Sequence, residues 1–241
     1  MKFSRLLTIV LILLASSISF PQKLTPESIV ENVRKKFYEV EDYQVDVKIN
    51  VDVDFLKVPE TKAKIFFRQP DKIKFNSEGF ALLPREGLNF SPLTVLQGDF
   101  TTLLEKEDLL DGKNVYVIKI IPLGGASEVI LTTLWIDKKD FIIYKVESTT
   151  KMNGTFYIDL KYEHKNSKYP LPSSLVFTFD ISRTSLPTAI AGGYTDSQKD
   201  EKERSGRKKK NKLTKGTVTI SYSNYIINKG IDDSFFEERK K

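Results

Sequence analysis

The sequence contains no cysteine, a single histidine and a single tryptophan in 241 residues. The missing cysteine excludes disulfides, thiolate metal sites and the acylated cysteine that anchors bacterial lipoproteins. One histidine cannot assemble the usual zinc sites within one chain, and any Ser-His-Asp arrangement would have to be built on it. That residue, His164, sits in Tyr162-Glu163-His164-Lys165, at a strand end among charges, where a solvent-facing role is the simpler reading. Gly124-Gly125 and Gly192-Gly193 lack the GxGxxG or GK(S/T) context of a phosphate loop and read as turn glycines. Asp46, Asp52 and Asp54 share one face of a strand, and Asp232 adjoins Asp233. Glycoside hydrolysis needs two carboxylates facing each other across a cleft, whereas alternating carboxylates on a strand are usually its solvated side. These absences point away from an enzyme, a cofactor and a metal.

What is present begins with an export signal. Lys2 and Arg5 precede an apolar run, Leu6 to Leu14, broken only by Thr8. Small residues (Ala15, Ser16, Ser17, Ser19) and Pro21 follow, which is the order of a secretory signal peptide over residues 1–19. The alternative is a retained anchor, but the run is short of the ~20 residues that cross a bilayer. No later stretch reaches that length without charges. The roughly 220 residues that remain are enough for one core without disulfides.

The formal charge is +6, and nine basic residues against three acidic ones fall between Lys199 and Lys215. The rest of the chain is close to neutral. A nucleic-acid binder would carry its excess on a structured face, so nucleic acid is not expected as a partner. The basic segment belongs to a long apolar-poor insertion, 184–214. It reads either as a solvated loop or as a contact for anionic lipid through Lys208, Lys209 and Lys210, since clustered cations gain ~1 kcal/mol each near such a surface.

The central signal is period two. From Tyr43 to Phe55 every odd residue is apolar and every even one polar, which predicts one long antiparallel strand with a dry and a wet face. At ~3.4 Å per residue it spans roughly 40 Å, a length suited to a curved, barrel-like sheet. Before it, Thr25, Pro26 and Glu27 start a helix carrying Ile29, Val30, Val33 and Phe37 on one stripe and ending near Glu39. Further alternation predicts strands at 63–67, 115–121, 129–136, 141–148, 156–162, 175–181 and 218–226, eight or nine in all. A short helix is expected around Thr101 to Leu110. Either the apolar face is an ordinary core, or it is roofed to leave space for an apolar guest.

Several stretches carry a family likeness. They are the signal, the helix and the long strand, then Ile65-Phe66-Phe67-Arg68-Gln69-Pro70-Asp71-Lys72-Ile73-Lys74-Phe75. Leu134-Trp135-Ile136-Asp137, Ile142-Ile143-Tyr144-Lys145-Val146-Glu147 and Ile226-Ile227-Asn228-Lys229-Gly230-Ile231 with Phe235 complete the set. The layout resembles the periplasmic lipoprotein carrier superfamily, the LolA-like proteins and their LolB- and LppX-like relatives. The resemblance implies a mainly β (α+β) fold over residues 23–241. Its single antiparallel sheet would be strongly bent and incompletely closed, a half-barrel with an N-terminal helix and lid segments on the concave face. It further implies a monomeric periplasmic carrier or chaperone that binds the acyl chains of lipoproteins or lipids and moves them between membranes. Such a carrier would touch a membrane surface, or a membrane-bound donor or acceptor, only transiently. Val47, Ile49, Val51, Phe55, Ile65 and Phe67 are the candidate cavity residues, with Phe80, Leu82 and Leu83 as lid. Arg68 is the nearest match to the family's lid-closing arginine, although Gln69 separates it from Pro70, and the insertion is not a family feature. The alternatives are a sensor or regulatory binding protein on the same fold without transport, and an exported enzyme using Asp52 and Asp54.

Overall fold

A computed structural model describes residues 24–53, 56–57, 59–77, 96, 98–125, 127–152, 154–162, 168–181 and 214–236. Helix α1 covers Pro26–Tyr38. The Thr25 hydroxyl accepts from the Ser28 amide at 3.2 Å, Pro26 needs no donor in the first turn, and Lys35 and Lys36 complement the dipole at the other end. Ile29, Val30, Val33 and Phe37 are its buried stripe.

Eleven strands follow among the described residues: β1 Asp42–Val53, β2 Leu56–Lys57, β3 Thr61–Arg68, β4 Lys72–Ser77, β5 Phe100–Leu110, β6 Lys113–Pro122, β7 Val129–Asp137, β8 Ile143–Thr150, β9 Gly154–Lys161, β10 Ser174–Ile181 and β11 Thr214–Ile227. A 3₁₀ turn, Asp233–Phe235, comes last. The strands form one antiparallel sheet in the order β4-β3-β1-β11-β10-β9-β8-β7-β6-β5, with β2 beside the upper end of β1. Consecutive strands are neighbours throughout β5 to β11. The exception is the seam at which β1 meets β11, running from Tyr43 opposite Ile227 to Val53 opposite Gly216.

A row of ten twisted strands curls. Here it curls around α1: the helical stripe joins one buried cluster with Val45, Val47 and Ile49 of β1, Ile65 of β3, Leu134 and Ile136 of β7, and Val218 and Ile220 of β11. The sheet does not close. Among the described residues its edges are β4 and β5, and α1 reaches β5 and the turn that leads into β4. Near its start, Glu27 accepts from the Thr102 hydroxyl at 2.7 Å; in its second half the Arg34 guanidinium lies 5.2 Å from the Phe100 ring and donates to the Leu96 carbonyl. At its far end, the Gln69 side-chain amide donates to the carbonyls of Phe37 (3.3 Å), Tyr38 (3.3 Å) and Val40 (2.6 Å). One side chain thus adds a donor to three carbonyls at and just beyond the helix end, of which that of Phe37 also accepts from the Val40 amide at 3.0 Å.

Two expectations need correction. Residues 101–110 lie within a strand, not a helix: β5 pairs along its length with β6, from Phe100 opposite Pro122 to Leu110 opposite Lys113. A register shift between Leu104 and Lys106 interrupts its alternation. The strand count is eleven rather than eight or nine, because β2, β4 and β5 add to those foreseen.

Candidate functional site

The concave face is the place where the fold gathers apolar side chains. Period-two geometry sends Val47, Ile49 and Val51 of β1 inward together, and the register with β3 sets Ile65 and Phe67 beside Val45 and Tyr43. Val47, Ile49, Ile65 and Phe67 are buried, and Val51 is partly exposed while packing on the same cluster. These five candidate cavity residues therefore share one face. Phe55, Phe80, Leu82 and Leu83 lie outside the described residues, as do Lys208, Lys209 and Lys210, His164, residues 1–19 and nearly all of the insertion.

Other inner-face residues were not singled out from the sequence, although the same parity reaches them. Ile73 and Phe75 of β4, Phe156 of β9, Phe177 and Phe179 of β10 and Ala63 of β3 all pack on the cluster. Phe156 and Phe177 lie 5.3 Å apart, and Phe177 and Phe179 5.0 Å. The inner face carries few polar groups. Thr132 and Ser148, both buried, satisfy each other through hydroxyls 3.1 Å apart.

One end of the concavity is paved with tyrosines. Tyr43 stacks on Phe67 at 5.0 Å and meets Tyr225 edge-on at 5.7 Å, and Tyr222 lies 6.1 Å from Tyr225. The Tyr225 hydroxyl donates to the Pro172 carbonyl and the Tyr162 hydroxyl to the Ile143 carbonyl, each at 2.9 Å. Burial pushes the Tyr43 phenol up to about 12, and it raises Tyr162, Tyr222 and Tyr225 as well. These groups stay neutral at ordinary pH. They can donate hydrogen bonds but supply no charge for acid–base work.

Arg68 points away from this face. It alternates with the inward-facing Phe67, and its guanidinium donates to the Ile231 carbonyl and lies 3.3 Å from the Asp233 carboxylate. Asp46 and Asp52 also lie on the outer face of β1. Asp46 is engaged by the Asn224 amide at 2.9 Å and the Lys64 ammonium at 3.3 Å, which together hold its carboxyl below the usual range, while Asp52 is exposed. Among the described residues no three His, Asp or Glu side chains are grouped to hold a metal ion, and no helix is long and apolar enough to cross a membrane.

No family model matches this sequence, and no curated protein matches it. Solved structures do. A putative outer membrane lipoprotein-sorting protein domain from Vibrio parahaemolyticus superposes with a TM-score of 0.57 at 10% identity, over 86% of this chain and 94% of that one. A LolA superfamily protein from Nitrosomonas europaea gives 0.54 at 12% identity, over 90% and 99%. A DUF1329 family protein from Desulfovibrio piger gives 0.54 at 11%, over 88% and 97%. At these identities the likeness establishes the fold alone: one bent, incompletely closed antiparallel sheet wrapped on an N-terminal helix.

Proposed function

We propose that the chain is a soluble periplasmic carrier or chaperone, one that takes the acyl chains of lipoproteins or lipids onto its concave face and moves them between membranes. The observation that carries this reading is the set of inner-face apolar residues that α1 does not cover. Val51, Ala63, Ile73, Phe75, Phe156 and Phe179 touch the buried cluster and still keep accessible surface. Burying an acyl methylene there is worth ~0.8 kcal/mol without any directional group, so such a face binds tails with little regard for the headgroup. Phe80, Leu82 and Leu83 would complete the roof, and Lys208, Lys209 and Lys210 would meet a membrane surface. The lipoprotein-sorting description of the Vibrio structure supports the same assignment. The reading includes no catalytic step.

The test is native mass spectrometry of the exported protein, purified gently, with lipid extraction of the same sample. A co-purifying acylated species near one per chain is expected. Val51→Asp, which places a carboxylate on the uncovered face, should lower fluorescent fatty-acid uptake by about tenfold or more in a protein that still melts cooperatively. An apo mass with no uptake of fluorescent fatty acid would make the concave face ordinary core and sink the carrier reading.

A further inference from the structure

The segment after β11 doubles back over the outer face of the β3–β4 hairpin. Asp42, buried, accepts from the Lys229 and Gly230 amides at 3.1 and 3.0 Å, and Gly230 turns the chain at φ 81°. The Asp232 carboxylate then caps the 3₁₀ turn through the Ser234 amide at 2.8 Å. Asp233 accepts from the Lys72 ammonium and lies 3.3 Å from Arg68. Two residues further on, the Phe235 ring sits 4.6 Å from the Phe66 ring and 4.6 Å from the Lys74 ammonium, which also donates to the Phe235 carbonyl.

The outer face of the hairpin therefore offers two adjacent seats. One is a pair of cations for a carboxylate. The other is a ring and an ammonium for an aromatic side chain two residues later. The turn that fills them is held at the surface: none of its residues is buried, the Asp233 side chain is 56% exposed and Phe235 is 39% exposed. A groove of about 810 Å³ runs beside it, lined among others by Gln44, Phe66, Lys74, Ile231 and Ser234. The same sheet face keeps positive charge in reserve, because Lys48 and Lys62 make no ion pair among the described residues. Exposed ion pairs and exposed cation–π contacts are individually weak, so an occupant held by them exchanges readily.

We propose that this surface, at Phe66, Arg68, Lys72 and Lys74, is a docking site for a partner-protein segment that carries a carboxylate two residues before an aromatic ring. The Asp233–Phe235 turn is the chain's own occupant of that site and gives way when the partner docks. A peptide fits better than a lipid surface because both seats are spaced for one short stretch of chain and are already filled by one. The proposal concerns the outer face and stands apart from acyl-chain binding on the inner one.

The experiment uses the full chain and a fluorescent synthetic peptide with the sequence Gly-Ile-Asp-Asp-Ser-Phe-Phe, read by anisotropy at low salt. Asp233→Asn with Phe235→Ala empties the seats, and the peptide should bind this variant about tenfold or more tighter than the wild type. Adding Arg68→Ala or Lys74→Ala should remove that gain. A control peptide with both Asp replaced by Asn and both Phe by Ala should bind neither protein. Phe235→Ala alone serves as the freed variant if the double variant melts early. Equal binding of the two peptides, or none by a folded freed variant, would overturn the proposal. Binding of phosphatidylglycerol vesicles without binding of the peptide would overturn it in favour of an anionic lipid surface.

Discussion

β4 and β5 are both edge strands, and α1 touches the sheet at both ends, yet the two edges are finished differently. On the β4 side, the neighbouring strand sends Ile65 and Phe67 into the core, Gln69 grips three carbonyls around the end of α1, and the C-terminal turn lies across the outer face. On the β5 side no residue of the strand is buried, and Leu103 and Leu109 stand in solvent. The helix meets that edge through Glu27, Arg34 and Phe100. Neither edge strand has a buried residue among those described, and the neighbour of each is buried, β3 through Ile65 and Phe67 and β6 through Val117, Ile118 and Ile120. The edges differ in that β4 is covered on its outer face by the C-terminal turn, while β5 is held by a few polar and cation–π contacts near its start. On the proposed carrier reading a guest enters where the sheet loosens, and the lighter attachment of β5 makes that edge the expected place.

Three measurements would break or sharpen that contrast. The largest difference should come from matched truncations. Ile65→Ala should cost about 2–4 kcal/mol in denaturant unfolding, whereas Leu109→Ala, at a side chain 63% exposed, should stay within about 0.5 kcal/mol. Similar costs for the two would mean that β5 is packed as firmly as β3. A smaller difference is expected from the two ties to α1. Gln69→Ala removes the donor from three carbonyls and should cost about 1–3 kcal/mol, against less than about 1 kcal/mol for Thr102→Val. If Thr102→Val cost more, the helix would be anchored at the β5 end instead.

The smallest effect concerns acid. The Lys72 hydrogen bond, with the charge of Arg68 behind it, holds the Asp233 carboxyl below its ordinary value, and the Thr102 hydroxyl leads the same effect on Glu27. A carboxylate with a lowered folded pKa contributes above its unfolded pKa near 4 and loses that contribution as pH falls through the folded value. Nuclear magnetic resonance of the Phe235 ring should therefore show the turn leaving the sheet as pH drops below about 4, with β3 and β4 amides unmoved. Melting of the whole hairpin with the turn would show that the turn is part of the edge rather than an attachment to it.

Much of this was legible in the residues. Alternation from Tyr43 onward gave both the length of β1 and the face that Val47, Ile49 and Val51 share, because burial of one side makes parity unambiguous. Thr25, Pro26 and the stripe through Phe37 marked α1 in the same way. β5 was misread because an edge strand with no buried residue carries no such constraint. Leu103, Leu104, Glu105 and Lys106 are good helix formers, and the shift at Glu105 spoils the period of two. Gln69 could not be read as a helix partner, since its acceptors lie some thirty positions earlier and only the folded sheet brings them within reach. The tyrosine-lined end was likewise invisible, as it draws on β1, β11 and the residue after β9.

The seam between β1 and β11 sets the order in which the molecule can be made. β1 is near the beginning of the chain and β11 near its end, yet they lie side by side in the interior of the sheet. The strands from β5 to β10 can zip by local hairpins as they emerge, and β3 pairs locally with β1 and β4, but β1 has no second neighbour of its own length until the final long strand arrives. Loops of such length close slowly, and folding rates fall as partners lie further apart in sequence. A chain still threading through a narrow channel therefore cannot lock into its finished shape. Emergence of the last strand is the step that joins the β3–β1 side of the sheet to the rest.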